Sequence, residues 1–110
     1  MDTISGRKPD IEHWSKLSFF EQMANLYSEI GRTLKWKSKN NEEMAQKAYF
    51  RALDIIDVLI ICHTKKYDTL RELCRLRENF CESFMESDLD NLSIIDKDLS
   101  HYAYSLRIHK

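Results

Sequence analysis

At 110 residues the chain is one domain of ordinary size, long enough to bury a core without disulfides or a structural metal. Its 17 basic and 18 acidic residues leave a formal charge of −1, so no global field draws it to nucleic acid or anionic lipid. With 2 glycines and 1 proline it lacks the residues that build hairpins and phosphate-cradling loops, and long helices with short connections are expected.

Residues 1–9, MDTISGRKP, hold one of the glycines and the proline and show no periodicity. Residues 1–16 read as an N-terminal arm, flexible or capping, with a short helical turn over 10–16 that lays Trp14 on the end of a helical domain spanning 17–110. The arm lacks the apolar centre of a signal peptide. The longest apolar run, Ile55 to Cys62, is broken by Asp57 and is too short to span a bilayer. The 3 cysteines, Cys62, Cys74 and Cys81, are an odd number that suits reduced thiols, so a cytoplasmic protein with no membrane contact is expected.

Four start signals recur along the rest of the chain, each a capping residue followed three positions later by an acid: Ser18 and Glu21, Asn40 and Glu43, Thr69 and Glu72, Ser93 and Asp96. Behind each lies an apolar stripe of helical period, predicting helices over 18–37, 41–63, 70–86 and 93–108. The first carries Phe20, Met23, Tyr27, Ile30 and Leu34, and the second Ala45, Tyr49, Ala52, Leu53, Ile56, Leu59 and Ile60. The third carries Leu70, Leu73, Cys74, Phe80, Cys81 and Phe84, and the fourth Leu92, Ile95, Leu99, Tyr102, Ala103 and Leu106. Short connectors force neighbours antiparallel, so the fold class is all-α, an antiparallel up-down four-helix bundle with a short N-terminal arm.

Two helices are apolar on more than one face. The second predicted helix places Phe50, Val58 and Ile61 opposite its seam, and the fourth gathers Ile94, His101, Tyr104 and Ile108 away from its own. A bundle of this size has no spare layer to cover both, so a homodimer or a protein partner is expected unless residues 1–16 fold over one patch. Asn25, Glu29, Arg32 and Trp36 form an outward stripe of the first helix, where an exposed Trp beside Arg has the composition of an interface hot spot. The alternative has Trp36 curl back against Trp14.

Arg77 falls at the centre of the apolar face of the third helix. A buried guanidinium there needs a carboxylate, and Asp57 on the second helix is its natural partner in a structural ion pair; the functional alternative is a phosphate- or RNA-contacting arginine. His13, His63, His101 and His109 are scattered, and Asp98-x-x-His101 is a single imperfect match to the Glu-x-x-His pairs of metal-binding bundles, so neither metal nor cofactor is expected. Cys74 and Cys81 read as small core hydrophobes. Gly31, inside the first helix, admits a bulky neighbour. Lys35, Lys37, Lys39, Lys65 and Lys66 read as solvated helix ends, with nucleic acid as a less favoured contact.

Four helices with polar residues along the third resemble the HEPN superfamily, small helical bundles often found with minimal nucleotidyltransferases; the likeness covers about residues 18–108. The stretch WSKLSFFEQMANLYSEIGRTLKW also resembles small bacterial proteins. In active HEPN ribonucleases an Arg precedes a His by four to six residues, whereas the run Arg77-Glu78-Asn79-Phe80-Cys81-Glu82-Ser83-Phe84 holds no His, and Arg7 to His13 spans Pro9. The resemblance thus implies a non-catalytic relative that binds a partner. A divergent RNA-cleaving or RNA-binding bundle using Arg77 with Glu78 or His101 is the alternative.

Overall fold

Ser18 opens the first long helix in the manner its spacing predicts. Its backbone is extended, its hydroxyl accepts from the Glu21 amide at 3.1 Å, and the Glu21 carboxylate accepts from the Ser18 amide at 3.0 Å. The computed structural model describes residues 11–108, with side chains through Tyr102. Those residues form α1 (Ile11–Ser15), α2 (Phe19–Ser38), α3 (Glu42–Cys62), α4 (Tyr67–Met85) and α5 (Leu89–Ile108), with no strand among them. Residues 1–10 of the predicted arm lie outside the described residues; 11–15 form α1, which packs against α3.

Two of the reversals place a residue other than glycine in the left-handed region. After α2, Asn40 takes a left-handed backbone with φ 59°, the Asn41 amide donates to the Trp36 carbonyl at 2.9 Å and the Asn40 amide to Lys37 at 3.0 Å. This is a Schellman ending with Asn in the place usually held by Gly. With Asn40 committed to the turn, Asn41 caps α3, accepting from the Met44 amide at 3.1 Å, one residue later than predicted. After α4, Ser87 plays the same part with φ 54°, and the Asp88 and Ser87 amides donate to Ser83 and Phe84 at 2.9 and 3.1 Å. Asp88 then accepts from the Asn91 amide at 3.0 Å, so α5 starts at Leu89 rather than near Ser93. α4 starts at Tyr67 behind Lys66, which makes no side-chain cap, so Thr69 lies inside the first turn rather than ahead of it.

Side-chain contacts link successive long helices, and between α2 and α3 later residues of one meet earlier residues of the other. Lys37 meets Glu42, Glu29 meets Arg51 and Gln22 meets His63 between α2 and α3; Asp57 meets Arg77 between α3 and α4, and Asn79 meets Asn91 between α4 and α5. α2 packs extensively on both α3 and α5, while α4 touches α3 and α5 far more lightly. The interior holds Met23, Leu26 and Ile30 of α2, Ala45, Tyr49, Ala52, Ile56 and Leu59 of α3, Leu73, Phe80 and Phe84 of α4, and Leu92, Ile95 and Leu99 of α5. Because α4 is lightly held, its buried stripe is narrow, and Cys74, a helical step of 100° from Leu73, is exposed instead of packed.

The neighbour that Gly31 admits is a carboxylate. A Cβ on Gly31 would stand 3.2 Å from Asp96 Oδ1, which is buried and accepts no hydrogen bond. Burial pushes the Asp96 carboxyl above its usual range. A carboxyl raised in the folded state carries no penalty below its unfolded value and the full penalty once pH exceeds its folded value, so ionisation of Asp96 weakens the fold as pH rises. Asp96→Asn is expected to gain about 1 kcal/mol at neutral pH by removing that charge, and to gain nothing in acid where the carboxyl is already neutral. Urea melts of both proteins at the two pH values check this, and an Asn variant weaker at neutral pH refutes it.

Candidate functional site

The light packing of α4 leaves a cleft between α4 and α5, floored by the start of α2. Its walls are Leu73 and Leu76 of α4 and Leu99 and Tyr102 of α5, its floor Phe19 and Met23, and its volume about 380 Å³. Asp68, Thr69 and Glu72 edge it on α4. A second hollow of about 400 Å³ shares Glu72, Leu76 and Leu99 and carries the cleft on to Arg75, Asn79, Ile95 and Asp98. The Tyr102 ring meets Phe19 edge-on at 5.7 Å, and its phenol is pushed up by burial and, less strongly, by the charge of Glu72. Glu72 pairs with Arg75 at 3.5 Å, both well exposed, a contact worth well under ~1 kcal/mol. Apolar walls under a charged edge can bury a hydrophobic side chain and select the charge beside it.

The structure joins Arg77 to Asp57, with Nε donating at 2.7 Å and NH2 at 3.4 Å to the two carboxylate oxygens. The pair is not buried: the side chains are 38% and 50% exposed, because the narrow stripe of α4 leaves Arg77 at its edge. Asp57 holds the guanidinium above its usual value. Arg77 NH1 also lies 3.8 Å from Cys81 Sγ, and Tyr49, whose phenol is pushed strongly up by burial and by Cys81, completes the α3/α4 contact. His101 is occupied elsewhere, its Nδ1 2.6 Å from the Asp98 carbonyl and its ring 4.0 Å from Tyr102. Arg77 and His101 therefore lead to different partners.

The outward stripe of the first predicted helix is half closed. Glu29 is largely buried and pairs with Arg32 at 3.2 Å and Arg51 at 3.1 Å, while Asn25 donates to the Glu21 carbonyl. Trp36 packs partly against the core, with Lys35 and Lys39 ammonium groups 5.2 and 5.5 Å from its ring. On α3, Phe50 rests against the core and Val58 is only 2% exposed, so the face expected to be free is mostly covered within the chain, leaving Ile61 at 52%. On α5, Ile94 is 57% exposed and His101 is exposed; Tyr104 and Ile108 fall outside the described side chains.

Two buried polar groups, Lys37 and Gln22, tie helices together. Lys37 is 7% exposed, and its ammonium donates to Glu42 at 3.1 Å and Ser87 at 3.0 Å and lies 4.5 Å from the Phe84 ring. It is therefore no solvated helix end; it ties the α2/α3 turn to the α4/α5 turn. At the other end Gln22 donates to the Trp14 carbonyl at 2.7 Å and turns its oxygen to His63 Nε2 at 2.8 Å, fixing α1 and α3 to α2. Burial and, less strongly, Lys66 push the His63 imidazole down, which favours its neutral form in that contact. Both links join residues far apart in sequence, and no local pattern announces them.

Among the described residues no three His, Cys, Asp or Glu side chains are placed to hold a metal ion, and no helix is long and apolar enough to cross a membrane. The chain matches no family model, no curated protein and no solved structure.

Proposed function

We propose that this protein is a non-catalytic interaction or accessory protein of the cytoplasm: an antiparallel up-down four-helix bundle of α2 to α5, closed at one end by α1, that holds a segment of another polypeptide between α4 and α5. The contacts between α2 and α3, Lys37 with Glu42, Glu29 with Arg51 and Gln22 with His63, in which later residues of one meet earlier residues of the other, and the short connections support the bundle. The observation that carries the function is the solvent-open apolar cleft walled by Leu73, Leu76, Leu99 and Tyr102. A different protein suits it better than a second copy. Were a copy to offer exposed Ile94 of α5, the flanking Asp90 and Asp98 would come against Asp68 and Glu72 at the cleft.

The test is affinity capture of the tagged protein beside a Leu76→Gln variant shown by circular dichroism to be folded. The expected result is one stoichiometric polypeptide held by the wild type and released by the variant. Equal retention by both would overturn the site. A wild-type dimer in light scattering that Leu76→Gln dissolves would make a second copy the occupant. Recovery of protected RNA in place of a polypeptide would favour the HEPN-type alternative.

A further inference from the structure

Resting on that reading, we infer that the occupant of the α4/α5 cleft is a cationic amphipathic helix, its apolar seam against Leu76 and Leu99 and its lysines or arginines over Asp68, Glu72 and Asp98. Three observations carry this. The two hollows share Glu72, Leu76 and Leu99, so they form one trough rather than separate holes. From Asp68 to Asn79 along α4 the trough runs ~16 Å at 1.5 Å rise per residue, about three turns of a docked helix. Among the described residues its edge carries three carboxylates, Asp68, Glu72 and Asp98, against the single guanidinium of Arg75, which Glu72 already engages at 3.5 Å.

Charge and shape then act together. Apolar walls buried by an incoming helix exclude water, and carboxylates at the edge of a dried cleft attract cations more strongly than they do in open solvent. The Tyr102 phenol, pushed up chiefly by burial, is raised further by the charge of Glu72, which accords with a negative edge beside that wall. An acidic helix would meet the same field as repulsion. Binding should weaken as salt rises, because the edge charges are exposed.

The experiment uses the full chain and two side-chain-stapled helices of about 14 residues, long enough at ~1.5 Å per residue to cover the trough. Both carry leucines at i, i+3, i+4 and i+7; one has lysine flanks and the other glutamate. Fluorescence anisotropy gives affinity, and methyl shifts of Leu76 and Leu99 report occupancy. The lysine helix is expected to bind, to shift both methyl sets, and to lose at least about tenfold in affinity to the Asp68→Lys/Glu72→Lys/Asp98→Lys protein. All three carboxylates are exposed, so the triple variant should fold, and its melting curve is taken alongside. If the glutamate helix binds as well and shifts the same methyls, the charge assignment falls while the interaction reading stands. If neither helix binds, the cationic-helix inference is overturned; the interaction reading then falls with it only if capture has also returned no polypeptide released by Leu76→Gln.

Discussion

Phe80→Ala lowers the stability of the fold by about 4 kcal/mol, enough to unfold a marginal domain at moderate temperature. Phe80 has no solvent exposure and lies with its ring centroid 5.3 Å from that of Tyr49, which itself stacks on Phe84 at 3.8 Å with the planes 5° apart. α4 touches the rest of the molecule lightly, so this aromatic group is a large share of what holds it. Removing the ring forfeits its transfer energy and leaves a cavity that Tyr49 and Phe84, already locked against one another, cannot fill. Phe80→Leu keeps most of the volume and should cost about half as much. Denaturant melts of both variants check the pair, and a loss below ~1 kcal/mol for alanine would show that α4 is anchored elsewhere.

Lys37→Ala should cost about 2 kcal/mol, and Lys37→Met under ~1 kcal/mol. The lysine stem is buried while Glu42 is 64% exposed, so the ion pair with Glu42 contributes little net energy; the packed stem, the Ser87 hydrogen bond and the contact with the Phe84 ring contribute more. Methionine keeps the stem on Phe84 and relieves the desolvation of the charge. The two variants melted at low and high salt separate these contributions. Equal losses for Ala and Met that shrink with salt would make the charge, not the stem, the dominant part.

Sequence period located the long helices because each buries apolar residues at steps of three and four, and the Ser18 box marked the start of α2 because its two hydrogen bonds need only residues three apart. Two of the other starts, those of α3 and α5, were set by the turns ahead of them, while α4 begins behind Lys66 with no side-chain cap. Asn40 and Ser87 are spent on left-handed turns, so capping passes to Asn41 and Asp88, and only the turn geometry decides which residue is left to cap. Asp57 and Arg77 stand out in sequence since each interrupts an apolar stripe, but their exposure depends on how closely α4 packs, and Val58 was read as surface without knowing what lies over α3. The cleft was invisible for the same reason: the distance of α4 from α5 is set by side-chain volumes on three helices at once. Lys37 sits between Lys35 and Lys39 and looks like them. Its burial comes from Ser87, fifty positions further on.

The turn residues also bear on how readily this sequence can drift. Asn40 and Ser87 occupy a backbone region that costs an ordinary residue ~1 kcal/mol or more and glycine almost nothing. At Asn40, whose side chain is exposed, glycine would be a gain held in reserve, distant from the cleft and open to selection whenever a change at the binding surface weakens the fold. Ser87 offers no such freedom, since its hydroxyl receives Lys37. The two reversals look alike in backbone, yet one is a spare and the other is spoken for.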